Sequence, residues 1–484
     1  MRRTTTVAIG VLLFCAAAIQ LQAATITVTN TNDSGPGSLR QALANANDGD
    51  AINFAVSGTI ALTSGELLVD KSVTISGPGA ATLAVDGNFT SRVFHIASEK
   101  TVSISGLTLT NGSAGSENGG GVLNDHAILT MDSCALLNSG AFSRGGGIYN
   151  DGSGGSAALT ILNSTVTLNG ALYAGGGIYN DADNKGNATL AILNSNVSNN
   201  GVGFADMFPP GSEGGGVYNG VGTVTISNSS VNDNYAGVPG PNFPTGTGGG
   251  ISNYGTMTIT DSTITGNQVY FAGGGIENGG TLTITSSTVA GNGATGQHDG
   301  QPWGQVGGIS GVVTLTNSTL SNNYANLSIG GLSGGGTIMN STISGNFGGG
   351  ISTNSGEIGN TILNNNSGFN IRGTITSQGY NLSSDDGGGN LTGPGDQINT
   401  DPMIGPLQNN GGPTLTHALL PGSPAVNAGD PNFTPPPFYD QRGNPFVRVF
   451  NGGIDIGSFE VQPPRRPLPA PRSRPTPLPR PTPR

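Results

Sequence analysis

Along the middle of the chain, apolar and polar positions repeat one short template. In "LTILNSTVTLN" (Leu159 to Asn169) positions one, three and eight are aliphatic, position five is polar and the last is Asn. The spacing returns in "LAILNSNVSNN", "VTISNSSVNDN", "MTITDSTITGN", "LTITSSTVAGN", "VTLTNSTLSNN" and "GTIMNSTISGN", which end at Asn200, Asn234, Asn267, Asn292, Asn323 and Asn346. Alternating apolar positions, a polar break and a further apolar position predict a strand, a sharp bend and a second strand. A companion string, GGG[IV]xN, as in "AGGGIYN" from Ala174, predicts a third strand.

The final asparagines lie 23 to 34 residues apart, and looser copies end at Asn111, Asn138 and Asn365, the last 19 residues after Asn346. A fixed motif at variable intervals is a fixed coil carrying loops of different length between the final Asn and the glycines. A three-strand coil cannot bury its apolar side alone, so copies must stack with parallel pairing. The predicted fold class is all-β: a parallel β-helix of about ten or more rungs, right-handed by the general rule for parallel crossovers. Equivalent aliphatic residues then line the interior, and equivalent asparagines form hydrogen-bonded ladders.

The ends of such a stack need covers. In "GSLRQALANANDGDAINF", Leu39, Ala42, Leu43 and Ala46 fall at helical spacing behind Ser38, a predicted N-cap. The expected organisation is a signal peptide over 1–23, an N-terminal cap over 24–58, the β-helix over 59–385, and an irregular module over 386–462 that plugs the far end. A basic, proline-rich tail follows over 463–484.

Composition sharpens this picture. The 484 residues include 84 glycines, 9% charged residues and one Trp, which suits strands and turns. Arg2 and Arg3, the apolar run Val7 to Ile19 and small residues at "LQAAT" read as an export signal, so a secreted or cell-surface location is expected. With Cys15 removed, Cys134 is the single cysteine and no intrachain disulfide can form. Two of the 17 basic residues lie in the first three positions and six in the last 22, leaving nine against 28 acids and a body charge of −19. Nucleic acid is therefore not an expected partner. Expected partners are an extracellular or surface polysaccharide or a protein, met by a monomeric chain with no membrane span after signal cleavage.

"SLRQALANANDGDAINF", the GGG[IV]xN repeats, "DPMIGPLQNNGGPTLTHALLPGSPAVNAG", "DQRG" and "DIGSFE" resemble bacterial surface or secreted β-helix proteins with a C-terminal choice-of-anchor Q domain, over nearly all of residues 25 to 462. A more distant similarity is to the passengers of chlamydial polymorphic outer-membrane proteins. The resemblance implies export and surface display and supplies no catalytic residues.

Glycine-rich phosphate loops need a following helix and a Lys-Ser/Thr, which the GGG[IV]xN copies lack. The four histidines and one mature cysteine are expected to lie far apart in the repeat, which argues against a zinc-type site. Asp125, Asp151 and Asp181 each follow a GGG[IV]xN string, so stacked carboxylates are expected there. With Asp183 they could hold Ca²⁺, or simply be solvated acids at loop entries. Arg144 and Lys185 flank this patch and would be the candidate catalytic cations of a polysaccharide lyase. Tyr149, Tyr179 and Tyr218 share one register and are expected to point outward, either as a sugar-binding surface or packed beneath loops. Three function classes follow: a non-catalytic, adhesin-like glycan or macromolecule binder; a glycan-active enzyme such as a lyase; and a structural spacer.

Overall fold

The computed structural model describes residues 23–203, 211–237, 246–298 and 301–462. The signal segment up to residue 22 and the proline-rich tail lie outside them. The chain forms a parallel β-helix with sheets of 14, 12 and 13 strands, each strand hydrogen-bonded to its copy one coil away. The first template strand builds the 14-stranded sheet: Ser156–Leu162 lies between Ile128–Asp132 and Asn187–Leu193. The second, such as Thr165–Thr167, builds the 13-stranded sheet, and GGG[IV]xN segments such as Ile178–Asp181 build the 12-stranded one. Among the described residues no helix is long and apolar enough to cross a membrane.

Three details differ from expectation. A fourth, seven-stranded sheet of two-residue strands such as Gly170–Ala171 follows the final asparagines. Two residues carry no periodicity, so no pattern announces it. Coiling also starts early: Thr25–Val28 and Ala51–Phe54 already pair in the 14-stranded sheet, inside the segment assigned to the cap. Between them runs the cap helix Leu39–Asn45, with Ser38 accepting from the Gln41 N–H and Leu39, Ala42, Leu43 and Ala46 buried. Finally, Asn111, Asn138 and Asn365 are not ladder residues. They have φ near +50° and occupy the left-handed position before the ladder, a place Leu168 and Asn199 hold in regular copies.

The interior is aliphatic at template positions three and eight; Ile161, Ile192, Ile226, Val166, Val197 and Val231 are at most 1% exposed. Polar ladders line the corners. Each side-chain amide from Asn169 to Asn366 donates to the next ladder Asn Oδ1 at 2.8–3.0 Å, ending on Asn370. The same amides donate to bend carbonyls, Asn234 to Val197 O for example, which would otherwise be buried unpaired. A second ladder runs from Asn124 through Asn150, Asn180, Asn219 and Asn253 to Asn278. A third, of hydroxyls, joins Ser164, Ser195, Ser229, Ser262, Ser287 and Ser318, each Oγ accepting the N–H of its neighbour. The triple glycines are steric: Gly175 has φ +63°, and a Cβ on Gly176 would stand 2.4 Å from Gly201 O.

The C-terminal segment does not simply plug the end. Residues 386–397 cover the last coil, with Leu391 joining the core and Gln397 bridging to Leu382. The remainder lies along the flank of the 13-stranded sheet. Thr288, Thr319 and Thr342, equivalent residues on consecutive coils, are at most 1% exposed there, whereas their counterparts Thr165 and Asn196 are half-buried. Gln441 keys the contact: its amide donates to Thr288 Oγ1 at 2.9 Å and accepts from Thr319 Oγ1 at 2.6 Å. His417 Nε2 meets Ser321 Oγ at 2.9 Å, and the Asn360 amide donates to Asp455 O at 3.2 Å.

Candidate functional site

Strand alternation turns the residue after each [IV] of GGG[IV]xN away from the core. On successive coils of the 12-stranded sheet this outer row reads Leu68, His95, Leu123, Tyr149, Tyr179, Tyr218, Ser252, Glu277 and Ser310. Two neighbouring rows flank it, one holding Asp125, Asp151 and Asp181, the other Arg144, Ala174, Glu213 and Thr247. Chemistry-bearing side chains concentrate here because the row is free of the packing that fixes the inner positions.

The first coils carry a charged seam. Arg92 bridges Glu66, at 2.9 Å, and Glu117. Glu66 also takes His95 Nδ1 at 3.0 Å. That hydrogen bond, reinforced by Arg92 and opposed by burial, holds the Glu66 carboxyl down at about 2, and it raises His95 in return. Asp125 receives His126 Nδ1 at 2.5 Å, and His95 Nε2 lies 3.7 Å away. The two histidines thus share one carboxylate, contrary to their expected separation, because His95 pairs with Leu123 one coil away, three residues before His126. The hydrogen bond to Asp125, then that to Ser153 O, raises His126; burial raises Asp151.

The sequence-predicted acids are not one set. Ligand-capable atoms of Asp125, His126 and Asp151 lie within 4.8 Å of one another, and this trio is the metal-competent group found among the described residues. Asp181 is buried and accepts from the Tyr149 hydroxyl, while Asp183 is exposed. Both ring nitrogens of His126 are already engaged, Nε2 with Ser153 O at 2.8 Å. Arg144 lies four residues before the strand Ile148–Asp151, bridged to Ala174, and its guanidinium lies 5.6 Å over the Tyr179 ring. Lys185 sits exposed in a turn with φ +62°.

The tyrosines stack as expected, but not as an open surface. Ring centroids are 5.1 Å apart for Tyr149 and Tyr179 and 4.5 Å for Tyr179 and Tyr218, with planes within 15°. Tyr149 and Tyr179 are each 4% exposed, packed with Leu123 and Ala174, so their faces are spent on each other. The stack opens at its far end, where Tyr254 adds a tilted ring 5.7 Å from Tyr218 and is 37% exposed.

At that open end stand two carboxyls that sequence reasoning passed over. Burial raises Glu213, although the Tyr254 hydroxyl donates to it and Arg144 attracts it. Burial, then the like charge of Glu213, pushes Glu277 up to about 6 against a hydrogen bond from Ser310. Glu277 Oε2 and Thr247 Oγ1 are buried without a hydrogen-bond partner. The signal was in the repeat itself: "EGGGVYN" and "AGGGIEN" place acids where other copies carry Arg, Ala, Thr, Tyr or Ser.

No family model matches the chain. No curated protein matches it either. Solved structures similar to it include pectate lyase Pel9A, at 13% identity and TM-score 0.41 over 91% of this chain and 96% of that one, and the PL6 family alginate lyase AlyGC, at 13% identity and TM-score 0.32 over 91% of this chain and 59% of that one.

Proposed function

We propose that this chain is an exported, glycan-handling β-helix that lays an extended polysaccharide along the outer face of the 12-stranded sheet. One observation carries the reading: aromatic rings aligned along the coil axis emerge from a packed base at Tyr218 and Tyr254, beside hydrogen-bonding carboxyls. Rings of this kind offer an apolar face to sugar C–H groups while their hydroxyls remain polar. Affinity electrophoresis in gels cast with a panel of polysaccharides tests it. Retardation by at least one polymer is expected, and it should be lost in Tyr218→Ala and Tyr254→Ala variants of unchanged melting temperature. Equal retardation of both variants and the parent would remove this face as the site.

A second reading, that the face also cleaves the glycan, is favoured by Glu277. A carboxyl held at about 6 sits where proton transfer near neutral pH is efficient. The accumulation of unsaturated, ultraviolet-absorbing ends would mark elimination, and new reducing ends without that absorbance would mark hydrolysis.

A further inference from the structure

We propose that the glycan taken by this face is cationic, an amino-sugar polymer with free amines. The inference rests on the glycan-handling reading and adds the charge of the ligand.

Where the tyrosine stack opens, Glu213 and Glu277 stand on coils two apart, on the order of 10 Å along the axis. Thr247 lies on the coil between them. The Tyr254 hydroxyl donates to Glu213, so ring and carboxyl form one surface. Two coils before Glu213, Arg144 is drawn over Tyr179. Lys185 is exposed in a turn two residues after Asp183. The titratable groups facing Glu277 are therefore Glu213 and, through it, Tyr254, Tyr218 and Arg144.

The unpartnered atoms give the stronger argument. Glu277 Oε2 is an acceptor and Thr247 Oγ1 can serve as one, and both are withdrawn from water. Buried polar atoms left unpaired are costly, and an ammonium brings three donors and a positive charge to a carboxyl in that state. A uronate chain brings carboxylates to a face and a body already rich in them, at nine bases against 28 acids outside the two ends. A neutral chain leaves the charge of Glu277 uncompensated. Of these three glycan classes the amine answers both the geometry and the sign.

Calorimetric titration of the full chain at pH 6 with chitosan oligosaccharides, their fully N-acetylated counterparts, and oligogalacturonate with and without Ca²⁺ tests this. The free-amine oligomer is expected to bind about tenfold or more tightly than the acetylated one, since one charge-assisted pair is at stake. Binding should release protons, because an arriving cation lowers a carboxyl held near 6. Glu277→Gln, checked for an unchanged melting temperature, should abolish the preference and the proton release, while Glu277→Asp keeps the preference. Equal or tighter binding of the acetylated oligomer or the uronate, or an intact preference in Glu277→Gln, overturns the proposal but leaves the face a glycan site. No binding by any of the three overturns the proposal and the reading beneath it.

Discussion

The asparagine ladders and the C-terminal flank both bury polar side chains, but they do so on opposite terms. In a ladder each amide meets an identical amide one coil away at about the same distance, so the cost of desolvation is shared evenly and no charge is buried. On the flank every contact is unique and several are ionic. Asp440 takes the Arg442 guanidinium and the Glu460 N–H, and Arg442 is held between the rings of Phe446 and Phe459 at 3.8 and 3.7 Å. Arg448 is wholly buried with Nε and Nη1 unpartnered. Repetition buys uniform, pH-independent stability; the flank concentrates its stability in a few charged groups and should fail first.

Removing one partner of a buried ion pair leaves the other uncompensated, so the largest effect is expected from Asp440→Ala. Detachment of residues 401–462 should follow a loss of about 3–5 kcal/mol, read as proteolytic release of that segment while the coil stays resistant. The matching lesion in a ladder, Asn234→Ala, strands Val197 O and the Asn200 backbone N–H and takes one acceptor from the Asn200 amide. It should cost less, about 2–3 kcal/mol, and lower the unfolding midpoint of the coil itself. Equal effects on coil and flank from both variants would erase the distinction.

Acid and base should act on the flank through groups of opposite sense, and on the coil only outside its ladders, at the charged seam of the first coils and at Glu277. Burial depresses His417, whose Nδ1 is held by Gly405 O and whose Nε2 must accept from Ser321. Its stabilising share is present above about 6.5 and is lost as pH falls below that value, because the unfolded chain then binds the extra proton. Burial and the neighbouring Asp455 push Glu460 up to about 8 from an ordinary 4.5. Its share is complete below 4.5 and is lost as pH rises toward 8. Denaturant midpoints of the flank transition should therefore peak between those limits. His417→Gln should flatten the acid side and Glu460→Gln the alkaline side, and neither substitution should move the coil transition. A coil midpoint that follows either substitution would show that the two regions share their charged groups.

The reach of the sequence follows the same division. Stacking is a statement about repeated positions, so the inward Ile161 and Val166, the Asn169 ladder and the Ser38-capped helix could all be read from spacing. The flank could not, because Gln441 and His417 meet Thr319 and Ser321 across about a hundred or more residues with no repeat to signal it. The candidate site was half legible. The register of Tyr149, Tyr179 and Tyr218 fixed their stacking, but the burial of the first two depends on ring size against a coil rise of about 5 Å, which leaves no gap between faces. Glu213 and Glu277 were overlooked because a repeat draws attention to what recurs, whereas chemistry sits where a copy departs from it.

The smallest expected effect separates two asparagines six residues apart. Asn194 occupies the left-handed bend at φ +49°, with its side chain at the surface, while Asn200 lies buried in the ladder. Asn194→Gly keeps the backbone unstrained and should change stability by less than about 0.5 kcal/mol. Asn194→Val forces a β-branched side chain into the left-handed region and should cost about 1–2 kcal/mol. At Asn200 the order of causes reverses: glycine and valine alike delete the amide that bonds Asn234 and Val166 O, so the two should be similarly damaging. Melting curves of the four variants decide whether the repeated Asn of the bend is chosen for its backbone and that of the ladder for its side chain. A valine penalty at position 194 no larger than that of glycine would mean that the bend, too, is held by side-chain contacts.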